Sequence, residues 1–136
     1  TKKINKIDCK IFGYDISNSM IKKCKNNIEE SEIDFKINVE TRDFFKSKKN
    51  NTKKLQIVIN PPYDKRIPTD FKSFYSKIGD TLKRNYDNTS SWIFTANMDA
   101  IKYIGLRTSK RIKLFNSSLE SRFLNYQIYS GTKKEK

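Results

Sequence analysis

The sequence predicts an α/β domain on a mainly parallel sheet with an antiparallel finish. Short apolar runs of strand type alternate with amphipathic helical stretches, several runs stop on a polar or acidic residue, and the last two follow each other across a polar turn. "CKIFGYDI" (9–16) is the first such run, apolar enough for a buried strand and ending in an acid. Ser17 then suits a helix N-cap, with Ile16 before it and Ile21 after it at the spacing of a hydrophobic staple. Met20, Ile21, Cys24 and Ile28 fall on one helical face, and Glu29-Glu30 close the segment. "IDFKINVE" (33–40) alternates Phe35, Ile37 and Val39 against polar neighbours, which is the period of a strand.

"LQIVIN" (55–60) is another buried strand, and Phe71, Phe74, Tyr75, Ile78 and Leu82 recur at helical spacing after it. "SWIFTA" (91–96) is a strand. "NMDAIKYIG" (97–105) is a short helix, capped by Asn97 and stopped by Gly105. "RIKLF" (111–115) and "RFLNYQIY" (122–129), joined by the polar "NSSLES", make a hairpin-like end. The segments "KSKKNNTKK" (46–54) and "TKKEK" (132–136) have little to bury and read as loop and tail. Open sheets of this type bind ligands at the carboxyl ends of their strands, where this chain has Asp15, Asp43 and Asn60.

A length of 136 residues suits one core. The formal net charge of +14 favours a polyanionic partner, although the excess is mostly Lys beside abundant Asn and Ile, as a compositionally biased genome writes many proteins. Histidine is absent, which removes imidazole acid–base catalysis and Cys–His nucleophiles. With only Cys9 and Cys24, no zinc site is expected and no metal partner. The two thiols read as reduced, partly buried cysteines of a cytoplasmic protein, and no apolar run suits a membrane span.

Asp15 stands where such a sheet often places an acid that accepts from ribose hydroxyls, though an acid there can equally cap the helix after it. Asp43 could accept an adenine amino proton while Phe44 covers the base; a loop acid beside a core ring is the plainer alternative. Asn60-Pro61-Pro62-Tyr63 is sharper. The Asn60 side-chain oxygen and the Pro61 carbonyl are both acceptors, prolines stiffen the turn, and Tyr63 offers a face for a nucleobase. Two acceptors about 3 Å from an exocyclic amine would hold its protons and aim its lone pair at an electrophile. The alternative is a proline-stiffened strand exit.

These residues resemble the class I S-adenosyl-L-methionine-dependent methyltransferases that modify exocyclic amines. "NPPYDKRI", "FYSKIGDTLK", "IGLRTSKRIKLFN" and "LESRFLNYQIY" narrow the likeness to the THUMP-associated RNA methylases, in particular the bacterial enzymes that methylate guanine N2 in large-subunit ribosomal RNA. The likeness runs from the strand before Asp15 to Gly131. It implies a Rossmann-like sheet, mostly parallel with an antiparallel last strand, and S-adenosyl-L-methionine as cofactor. Asp15 and Ile16 would hold its ribose and adenine, and Asp43 and Phe44 its adenine. Asn60 and Pro61 would hold the target amine, Pro62 would shape the turn and Tyr63 would stack on the base. Lys65 and Arg66 are candidate contacts to ribosomal RNA phosphates. The chain departs from the family pattern at Asp64-Lys65, where Gly-Glu is common, and at Ser117, where Gly is usual.

The family's first strand and its Gly-rich cofactor loop are expected roughly 20 residues before the acid, and the residues ahead of Asp15 contain one glycine, Gly13. Residues 1–131 are therefore expected to be the carboxyl-terminal portion of a methyltransferase domain, followed by a polar tail at 132–136, with the first strand and a THUMP region upstream. Alone, the chain is expected to bind the cofactor poorly. Alternatives are adenine-N6 methylation of DNA, which uses the same tetrapeptide, and a basic RNA-binding module without catalysis.

Overall fold

The structure is a computed structural model that describes residues 9–33, 37–50, 54–64 and 68–130. The chain divides into two compact units, Thr1–Ser47 and Lys48–Lys136. The expected tail at 132–136 lies outside the described residues, as does Phe35.

In the first unit, β1 (Ile11–Asp15) and β2 (Ile37–Thr41) pair in parallel, with Asp15 opposite Thr41. Helix α1 (Asn18–Glu30) connects them, and a short 3-10 helix η1 (Phe44–Lys46) follows β2. Ser17 takes an extended conformation and its hydroxyl accepts from the Met20 N–H at 3.4 Å, so the expected N-cap forms. The apolar face of α1 is narrower than its sequence suggests. Ile21 is buried and Cys24 and Ile28 are half-buried, but Met20 is exposed. Ile16 is 73% exposed, so it does not close a staple over Ile21. A two-stranded sheet offers too little surface to cover every apolar side chain in the unit. Cys9 is exposed and Cys24 half-buried, so partial burial holds for the second thiol alone.

The second unit holds β3 (Leu55–Ile59), helix α2 (Phe71–Asn85), β4 (Thr89–Thr95), a seven-residue 3-10 helix η2 (Met98–Ile104), β5 (Lys110–Asn116) and β6 (Leu119–Ile128). Its strand order is β3-β4-β6-β5. β3 runs parallel to β4, and β6 is inserted antiparallel between β4 and β5. The antiparallel finish is thus a true hairpin. Its strands extend into the polar connector until only Ser117 and Ser118 separate them. Ser117 has φ of 60°, a left-handed conformation that glycine adopts without strain, which accounts physically for the family's preference there.

β4 alternates buried and half-buried residues along its length. Ile93 on β4 stands opposite Leu124 on β6, and both are fully buried in the core with Tyr75, Ile78 and Leu82 of α2. Asn97 caps η2 by accepting from the Ala100 N–H at 3.1 Å, and Gly105 ends it at φ 71°. Ala100, Ile101 and Ile104 pack inward from this turn.

Helix α2 approaches η2 without a side chain between them. A Cβ placed on Gly79 would stand 1.7 Å from the Ile104 carbonyl oxygen and 2.8 Å from its carbon. Backbone cannot swing aside as a side-chain tip can, so this glycine sets the contact between α2 and η2. Replacing an unobstructed helical Gly by Ala raises stability by about 1 kcal/mol. Gly79→Ala is predicted to do the reverse, lowering the unfolding free energy in urea by about 3 kcal/mol. A gain in stability would contradict the close approach.

Candidate active site

β3 carries its chain out of the sheet at Asn60, the residue after its last paired position. Proline has no N–H to donate, so the ladder with β4 cannot continue through Pro61-Pro62. Asn60 is exposed, Pro61 is buried, and Pro62 and Tyr63 are half-buried. Asn60 thus stands at the surface while the first proline of the tetrapeptide anchors in the unit.

The turn is held from behind by a residue that sequence reasoning assigned only to the helix core. Tyr75 is fully buried, and its hydroxyl lies 3.0 Å from the Pro62 carbonyl oxygen and 2.6 Å from Thr95 Oγ1. A carbonyl can only accept, so Tyr75 donates to Pro62. Thr95 must then donate to Tyr75 Oη, and Thr95 Oγ1 in turn accepts the Asn97 N–H at 3.1 Å. Every proton in this network has one direction, from Asn97 through Thr95 and Tyr75 to Pro62. Burial raises the Tyr75 phenol above its ordinary value; the Thr95 hydrogen bond opposes this and the neighbouring Tyr63 adds to it. The phenol thus stays a donor at neutral pH. A Tyr among apolar residues on a buried helix face was the available signal, because a buried phenol requires a partner.

Tyr63 packs edge-to-face with Phe94 of β4, centroids 6.3 Å apart and planes at 77°. In either sense of that contact at least one Tyr63 face is not covered by Phe94. Asn116 Nδ2 reaches the Tyr63 hydroxyl at 3.5 Å, a long contact that ties the ring to the start of the hairpin turn.

The other predicted positions lie in the first unit. Parallel pairing sets the carboxyl ends of β1 and β2 side by side, which brings Asp15 and Asp43 to one end of that sheet. The Arg42 N–H donates to the Asp15 carbonyl at 2.9 Å and fastens the two exits together. Each acid also caps the backbone just after it. Asp15 Oδ1 accepts the Ser17 N–H at 2.8 Å, and Asp43 Oδ1 accepts the Phe45 N–H at 2.9 Å. Asp43 begins a short 3-10 turn, Phe44–Lys46, rather than a plain loop. The capping alternative is thus realised for Asp15, Asp43 caps a 3-10 turn that the sequence reading did not foresee, and each bond engages one carboxylate oxygen. Ile16 is among the most exposed large apolar residues described, beside Asp15.

Of the basic candidates, Lys65 and Arg66 lie outside the described residues. Within the 46–54 segment, Lys49 Nζ donates to the Asp87 carbonyl at 2.6 Å and stands 3.8 Å from its carboxylate. That lysine fastens the segment beside the end of α2 instead of awaiting an anion. Among the described residues no cluster of metal-ligating side chains occurs, and no helix is long and apolar enough to cross a membrane.

A family profile described as "RMKL-like, methyltransferase domain" matches residues 1–125. The ribosomal RNA large subunit methyltransferase K/L of Hahella chejuensis is 31% identical over 126 residues, covering 89% of this chain and 17% of that protein. A provisionally assigned methylase of Clostridium difficile 630 superposes with a TM-score of 0.79 at 27% identity, covering 92% of this chain and 33% of that one. SMU.472, a provisionally assigned methyltransferase crystallised with SAH, superposes with a TM-score of 0.78 at 22% identity, covering 90% of this chain and 32% of that one. The chain therefore spans well under half the length of these relatives. Its fold is the Rossmann-like α/β fold of S-adenosylmethionine-dependent methyltransferases.

Tyr75→Phe removes the donor to Pro62 and the acceptor for Thr95. It is predicted to lower the unfolding free energy by about 1–3 kcal/mol at neutral pH. Because the folded-state phenol titrates above its unfolded value of about 10, its contribution is fully present below that pH and is lost as pH rises through the folded value. Urea titrations should show a constant gap between parent and variant up to about pH 9 and a shrinking one above about pH 10. No gap at neutral pH would contradict the network.

Proposed function

The chain belongs to the RMKL-like methyltransferase domain family, and from that premise we propose that it is part of an RNA methyltransferase acting on the exocyclic N2 amine of a guanine in large-subunit ribosomal RNA. The observation that carries this reading is the exposed Asn60 at the head of a proline turn whose Pro62 carbonyl is fixed by Tyr75.

In this reading Asn60 Oδ1 and the Pro61 carbonyl accept the two protons of the guanine amine. The amine is a poor nucleophile while its lone pair is conjugated with the ring. Holding both protons favours a pyramidal nitrogen and directs the lone pair outward. Positive charge grows on nitrogen as it attacks, so both bonds strengthen toward the transition state, which is the differential stabilisation a catalyst needs. No ionisable base takes part in that step. Tyr63 supplies the face on which the extruded base rests, and Pro62 keeps the turn rigid.

The first unit fits the adenosine part of S-adenosyl-L-methionine, which supplies an electrophilic methyl group when bound. Two acids at adjacent strand exits each have one oxygen outside their capping bond, and the exposed Ile16 provides apolar cover. Asp15 and Ile16 would hold ribose and adenine, and Asp43 with Phe44 the adenine. Lys65 and Arg66 are proposed phosphate contacts on sequence grounds alone.

The open strand edges support a further part of the reading. Among the described residues β1 pairs only with β2, and β3 only with β4. Val58 in the middle of β3 is 66% exposed. We propose that this chain is the carboxyl-terminal portion of the domain. Polypeptide ahead of it would supply the parallel first strand and its Gly-rich loop, and a THUMP region before that.

The test uses the full-length protein with ribosomal RNA and, separately, DNA, followed by analysis of the modified nucleosides. N2-methylguanosine is the expected product; N6-methyladenine in DNA, or no transfer to either, would overturn the reading. Asn60→Ala is predicted to lower kcat by about 100-fold or more, with cofactor affinity nearly unchanged. Retained turnover would remove Asn60 from the mechanism.

A further inference from the structure

A cavity of about 410 Å³ opens in the second unit between the start of α2 and η2. It does not include the tetrapeptide; its lining includes Phe71 and Lys72 from α2, and Asn97, Asp99, Lys102 and Tyr103 at and within η2. The volume is of the size that accepts a small organic ligand or a single nucleotide.

Its chemistry is unusual in one respect. Lys72 Nζ and Lys102 Nζ stand over the same Tyr103 ring, 5.4 and 5.3 Å from its centroid. A ring quadrupole attracts one ammonium readily, but two ammonium groups at one ring repel each other. An anion within reach of both offsets that repulsion and gains from both charges. Asp99 adds a carboxylate to the lining, so the cavity is not a uniformly cationic trough of the kind that tracks a duplex backbone. An aromatic ring with two cations beside it matches the base and the phosphodiester of one nucleotide.

The cavity is also wired to the tetrapeptide within the same unit. Phe71 packs edge-to-face on Tyr75 at 6.2 Å, and Tyr75 donates to Pro62. Asn97, on the opposite wall, provides the N–H that begins the same chain of hydrogen bonds.

We propose that this cavity is a second nucleotide subsite, which receives a nucleotide near the target guanine in the single-stranded part of the RNA; the proposal rests on the functional reading above. Its base lies against Tyr103, and Lys72 and Lys102 are its phosphate contacts. The subsite would position the strand so that the neighbouring base can leave its stack and reach Tyr63.

The test is fluorescence anisotropy with the full-length protein and a short labelled single-stranded RNA carrying one guanosine, titrated across a salt series. The Lys72→Ala/Lys102→Ala double variant is expected to bind more weakly, with the slope of log affinity against log salt reduced by about 0.7–1.4. Tyr103→Leu is expected to weaken binding roughly tenfold, while Tyr103→Phe, which keeps the ring, binds as the parent does. Lys83→Ala removes an exposed lysine of the same helix outside the cavity and is the charge control. The subsite is overturned if the double variant changes affinity and slope no more than Lys83→Ala does, or if Tyr103→Leu binds like the parent. If the parent leaves the RNA unbound, the functional reading falls first and the subsite with it, a result distinct from the other two.

Discussion

The Pro62 carbonyl can only accept a hydrogen bond, and that fixes the direction of every proton behind the turn. Tyr75 must donate to it, Thr95 must donate to Tyr75, and the Asn97 N–H must complete Thr95. The three donors come from a helix, the end of a strand and the turn beyond it, so the tetrapeptide inherits the rigidity of all three. Proline alone stiffens a backbone but does not say where it points. The buried phenol supplies the direction, and Gly79 allows α2 to lie close enough to η2 for the core to pack around it.

The two units meet different physical demands. The second has a four-stranded sheet, a long helix with a fully buried face, and a core that closes over itself. The first has only two strands and one helix, and it leaves Ile11, Phe12, Ile16 and Met20 exposed. Apolar surface left in water on a sheet of two strands is what a βαβ unit shows when further strands are needed to cover it. This agrees with the proposal that polypeptide ahead of the chain completes the sheet.

Much of the architecture was legible because it rests on local rules. Strand alternation marked β2, and the Ser17, Asn97 and Gly105 signals marked helix ends from side-chain chemistry that acts within a turn or less. The strand exits at Asp15 and Asn60 were legible for the same reason. What escaped depends on distance or on competition. Tyr75 reads as one more apolar position on an amphipathic face, since its partners are 13 and 20 residues away. The staple between Ile16 and Ile21 had correct spacing, but spacing does not say whether Ile16 has anything to pack on. Asp15 and Asp43 serve the backbone with one oxygen each, and sequence could not weigh capping against ligand binding because a carboxylate can do both. Lys49 belonged to a basic run, yet its fate was decided by Asp87, a residue far along the chain.

The hydroxyls of Tyr75 and Thr95 act as one device that holds the turn of the tetrapeptide, and in the proposed function that device sets the rate of methyl transfer. A double-mutant cycle on kcat in the full-length protein, with saturating cofactor and RNA, measures this directly. Tyr75→Phe and Thr95→Val should each slow methyl transfer, and the double variant should be no slower than the worse of the two, because either change breaks the same chain of hydrogen bonds. Losses that multiply in the double variant would mean that the two hydroxyls act independently, and the account of how the turn is held would be wrong.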